Sequence, residues 1–151
     1  MNDTQAALTP RLIDSLYTES MLLADEARAY FDSHGRGDRM ALDPLLRVGF
    51  SCESLKVTTR LMHIIAWLLT QRALSAGEID EAQASRPERR LGDPIESDEA
   101  VLAQLPEPAA QLIRSSEELF DRVRRIEQGQ MTEEPVASPA RSLLGRLQRS
   151  F

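Results

Sequence analysis

The sequence predicts an all-α fold: an up-down-up three-helix bundle with a long central helix, a polar connection and a flexible C-terminal tail. Three observations carry that expectation. Three long stretches repeat apolar residues at helical spacing, no stretch alternates as a strand does, and the first connection is short. At 151 residues the chain is one domain by size and can bury a core without disulfides or metals. The bundle is assigned to residues 1–129, with helices at about 9–34, 44–76 and 106–128, and residues 130–151 to the tail.

The first helix opens at Thr9-Pro10, Thr as N-cap and Pro where a missing N–H costs nothing. Its apolar stripe is Ile13, Leu16, Tyr17, Leu23, Ala24, Ala27, Tyr30 and Phe31. Gly35 can end it in the left-handed conformation, and Arg36-Gly37-Asp38 reads as a turn.

Asp43-Pro44 offers a second cap-and-proline start for a helix ~50 Å long that Gly77 stops. From Leu61 to Leu69 eight of nine residues are apolar, and only His63 interrupts them. A helix apolar on nearly all sides is buried or spans a membrane, and a span needs ~20 residues. This helix must therefore be covered by other protein. Gly49 inside it suggests the close approach of another element. Glu53, Lys56, Arg60, His63, Trp67 and Gln71 share one sector, so the lone tryptophan lies on the most polar stripe of this helix. Either the connection at 78–98 folds over that stripe, or a second subunit meets it. Ile64 and Leu68 widen its apolar area, which favours a dimer interface of Arg60, His63, Ile64, Trp67, Leu68 and Gln71.

Residues 78–98 are polar and broken by Pro87, Gly92 and Pro94, with one helical turn expected at 80–84. The third helix carries the stripe Ala109, Leu112, Ile113, Leu119, Phe120, Val123 and Ile126, and Gly129 stops it. In the tail Leu143, Leu144, Leu147 and Phe151 line one side of a short helical segment. Arg141, Arg146 and Arg149 lie among them. Such a segment is a helix-in-groove recognition peptide, a segment packed on the bundle, or a weak membrane-surface anchor. The partner-docking reading rests on these seven residues.

Net charge is −6, divided unevenly: residues 138–151 carry +3, and the rest hold 15 basic and 24 acidic side chains, net −9. An acidic body argues against nucleic-acid binding, whose affinity comes mostly from positive charge. Two rivals remain: a nucleic-acid-binding or membrane-surface protein that uses the basic tail, and a small-molecule sensor that binds between the helices. Met1 to Pro10 shows no secretion signal, so a cytoplasmic protein is expected. Cys52 and His63, eleven residues apart on one helix, lie ~16 Å apart and cannot form a nucleophile–base pair. Cys52 reads as a small buried residue. Phe31 and Arg60 stand three before the two histidines, so the Glu-x-x-His metal motif is missing, and no phosphate loop occurs. No catalysis and no cofactor are expected.

The run Glu53-Ser54-Leu55, Thr58-Thr59-Arg60-Leu61-Met62, Trp67-Leu68-Leu69, Gln71-Arg72-Ala73 and Gly77-Glu78 resembles the signature of the regulator of CtrA degradation (RcdA) family of alphaproteobacteria. Leu105-Pro106, Leu112, Ser115 and Arg122-Val123-Arg124-Arg125-Ile126 extend the resemblance. The resemblance implies a homodimeric three-helix bundle without catalytic activity. It also implies an adaptor that delivers cell-cycle regulators, such as a CtrA-type response regulator, to the ClpXP protease with its co-adaptors.

Overall fold

A computed structural model describes residues 3–132, with side chains from Pro10 to Gln130. The order is α1 (Asp3–Ala29), a π-helical turn (Tyr30–His34), α2 (Arg36–Met40), α3 (Pro44–Ser75), α4 (Glu81–Ala84), a 3-10 turn (Pro87–Arg89), α5 (Glu99–Leu102) and α6 (Glu107–Thr132). No strand occurs among the described residues, and α1, α3 and α6 form a helical bundle.

Local chemistry sets these limits. The Asp43 carboxylate accepts the Leu46 N–H at 2.9 Å, which satisfies an orphan donor at the start of α3. Gly77, at φ 74°, ends that helix, and the Glu78 N–H reaches back to the Ala73 carbonyl. Some boundaries differ from the sequence expectation. Helix α1 begins before Pro10, α6 runs through Gly129, and Arg36-Gly37-Asp38 lies in the helical turn α2. Gly35 has φ −85°, so it is not the left-handed stop expected of it. It is needed for space instead: a Cβ there would sit 2.7 Å from the Tyr30 carbonyl oxygen.

The helix directions correct the up-down-up expectation. Asp14 of α1 pairs with Arg72 of α3 at 2.9 Å, and Phe31 meets Phe50 with ring centres 5.3 Å apart, so these helices are antiparallel. Arg60 reaches Ser116 at 3.1 Å and Gln71 accepts from Gln130 at 3.3 Å, so α3 and α6 run parallel. The order is up-down-down. A parallel pair needs a long crossover, and residues 76–106 provide it.

The crossover returns along α3 as a strap. The Leu91 N–H donates to Glu127, the Ile95 carbonyl accepts from Arg60, and the Asp98 N–H donates to Glu53. Val101 of α5 then lies against Gly49, where a Cβ would come within 2.8 Å of its Cγ1. The core draws on α1, α3, α6 and the strap: Leu16, Phe50, Ile64, Leu68, Ile113, Phe120 and Val123 are buried together with Leu91, Leu102 and Leu105.

Candidate functional site

The stripe assigned to a dimer interface is not an open surface. Arg60, Ile64, Trp67, Leu68 and Gln71 are each less than a tenth exposed within one chain, and only His63 of the six is exposed. The crossover strap occupies that side of α3. Gly92, at φ 92°, passes His63, where a Cβ would lie 3.9 Å from its Nδ1.

Arg60 is the centre of this arrangement. Its guanidinium donates to the Ile95 carbonyl at 3.0 and 2.7 Å, to the Ser97 hydroxyl at 2.7 Å and to the Ser116 hydroxyl at 3.1 Å. One side chain therefore ties α3 to the strap and to α6. Burial pulls its pKa down, while Glu117 and Glu53 favour the charged form. Burial would raise the pKa of Glu53 as well. Hydrogen bonds from Lys56, Ser97 and the Asp98 N–H outweigh it and hold the carboxyl below its ordinary range. The bonds from Lys56 and the Asp98 N–H both fall on Glu53 Oε2. Its buried Oε1 has no hydrogen-bond partner among the described residues, so the charge of Lys56 and Arg60 carries the rest. This constellation is a latch.

The bare surface of α3 lies elsewhere. Leu45, Val48, Cys52, Leu55, Thr59, Met62, Ala66 and Leu69 recur at alternating spacings of three and four. That is the heptad repeat of a helix–helix seam. Leu45 is 81%, Leu55 67% and Met62 64% exposed. The seam lies on the side of α3 opposite its core residues Val57, Leu61, Ile64 and Leu68. Cys52 is part of it and is exposed, which corrects the expectation of a buried thiol. Sequence reading missed the seam because α3 is apolar on nearly every side, and core positions masked the second repeat.

A second surface opens between α1 and α6. A cavity of 340 Å³ is lined by Glu26, Ala29, Tyr30, His34, Pro108, Gln111, Leu112 and Ser115. The π-helical turn forms its α1 wall, as such turns often do at functional sites. The Tyr30 hydroxyl donates to Asp38 at 2.8 Å, and burial followed by that carboxylate raises its pKa.

The tail residues Arg141, Leu143, Leu144, Arg146, Leu147, Arg149 and Phe151 lie outside the described residues. Among the described residues no group of His, Cys, Asp and Glu could hold a metal ion. No helix there is long and apolar enough to cross a membrane.

A family model described as "Protein of unknown function (DUF1465)" matches residues 4–151. Among solved structures, the fold is similar to the crystal structure of RcdA from Caulobacter crescentus CB15. The TM-score is 0.60, with 34% sequence identity over 78% of this chain and 88% of that one. No curated protein sequence matches the chain.

Proposed function

The chain belongs to the RcdA-like family described as DUF1465, and from that premise we propose that it is a non-catalytic adaptor promoting regulated ClpXP proteolysis. Its cargo in this reading is a cell-cycle regulator such as a CtrA-type response regulator, and its setting is the cytoplasm. The observation that carries the proposal is the similarity to RcdA along most of both chains. The physical chemistry is compatible with it: the described residues offer docking surfaces and a latched scaffold. An adaptor needs no chemistry of its own, because two contacts on one scaffold raise the effective concentration of substrate at the unfoldase.

Self-association belongs to the same reading, with its contact moved from the Trp67 stripe to the α3 seam. Pairing two seams antiparallel about position 57 sets Val48 against Ala66, Cys52 against Met62 and Leu55 against Thr59. Large and small residues then alternate across every inner layer, as close helix packing requires.

A reconstituted degradation assay tests the adaptor role. Purified ClpXP, its co-adaptors and a CtrA-type regulator are incubated with and without the full chain, at substrate well below saturation. Substrate half-life should shorten when the chain is present. An unchanged half-life in every combination of co-adaptors removes the proposal.

A further inference from the structure

We infer that the groove between α1 and α6 is the docking site of this chain's own C-terminal segment, residues 138–151. The inference goes beyond the adaptor reading and stands whether or not a protease is served.

Reach is the first argument. Gln130 hydrogen-bonds Gln71, which fixes the end of α6 at the pole where α3 also ends. The cavity lies at the other end of α6, ~33 Å from Gln130 to Pro108 at 1.5 Å per residue. A linker over 133–138 covers ~20 Å extended, and a helix over 139–151 covers ~20 Å more. The segment therefore spans the groove from one pole to the cavity, running antiparallel to α6.

Charge decides between the two exposed surfaces. Residues 138–151 hold Arg141, Arg146 and Arg149 and no acid. The basic residues that flank the α3 seam, Lys56 and Arg72, are already paired with Glu53 and Asp14, so that face offers such a segment no unpaired acid. On the α1/α6 side Glu26 lines the cavity, and Glu118 lies on α6 about two turns beyond Gln111. Both are exposed and without an ion-pair partner among the described residues, while Arg122 is already paired with Glu19. The charge complement is on that side.

Apolar spacing agrees. Leu22, 60% exposed, precedes Glu26 by about one turn on neighbouring rows of α1. Leu143 and Phe151 are eight residues apart, ~12 Å as helix, close to the ~12 Å between Leu22 and Tyr30. Leu143 and Leu144 then cover Leu22, and Phe151 enters the cavity floored by Tyr30 and Leu112. The segment becomes a fourth helix of the bundle.

The test keeps the full chain. In a Cys52→Ser background, Ser150→Cys carries a nitroxide, and amide intensities are compared before and after its reduction. The expected result is loss of signal at Ala29, Tyr30, Gln111 and Leu112. Glu26→Lys with Glu118→Lys should restore those signals while leaving the far-ultraviolet spectrum unchanged. Intact signals at these positions overturn the inference, as does broadening confined to Leu55 and Met62. Mixing labelled chain with an isotope-silent spin-labelled chain identifies whose segment is bound. Broadening only in the mixture assigns the groove to a second copy's segment and overturns intramolecular docking.

Discussion

Arg60 shows how one buried cation can hold a loop that has little apolar surface of its own. Its donors satisfy the Ile95 carbonyl and two hydroxyls at once, so truncation removes the tie and orphans its acceptors. Arg60→Ala should cost about 3–5 kcal/mol, by the rule for breaking a buried charged network, and chemical denaturation measures it. Amide exchange should speed up at Leu91 and Asp98 before it does in the core of α6. Equal acceleration everywhere would mean that Arg60 supports the whole bundle rather than the strap. Glu53 gives the latch a pH dependence. Its folded pKa lies below the unfolded value, so its contribution is complete above the ordinary Glu range and is lost as pH falls through the folded pKa. Glu53→Gln should therefore lower the melting temperature at neutral pH and flatten its fall below pH about 4.5, near the ordinary Glu value. An acid limb as steep as the parent's would assign that dependence to other carboxylates. The sequence places Arg60 and Glu53 on one polar stripe but does not show which groups they bond. Their partners in the strap lie more than 30 residues away along the chain.

Among the elements, α3 and the strap matter most for how surfaces are allotted. The periodicity of α1, α3 and α6, and the Asp43-Pro44 start, could be read directly because local spacing and capping produce them. Direction could not. A polar connection looks the same whether it turns back at once or runs the length of the bundle. Two decisive residues, Leu91 and Ile95, are single apolar side chains in a polar, proline-broken stretch. The strap takes the Trp67 side, and the seam from Leu45 to Leu69 is what remains bare. Leu55→Asp should leave the melting temperature nearly unchanged, since an exposed substitution costs about 0.5 kcal/mol or less. In sedimentation it should shift a dimer to monomer. A dimer of unchanged affinity would place the contact elsewhere. Trp67→Ala is a poor probe of this question, because Trp67 is 3% exposed and its loss opens a core cavity costing about 3–5 kcal/mol.

At the scale of the molecule, the up-down-down order has a geometric result. Asp14, Arg72, Gln71 and Gln130 gather at one pole, so α1 starts and α6 ends there. The opposite pole consists of closed turns around residues 35–43 and 103–106. Two chains paired antiparallel along α3 would put those poles at opposite tips of a rod ~50 Å long, the length of α3. Each tip would carry the start of α1 and the end of α6 of one chain. Such a particle is two-headed: each tip presents the pole of one chain, so two separate bodies can be held at once but one small target cannot meet both.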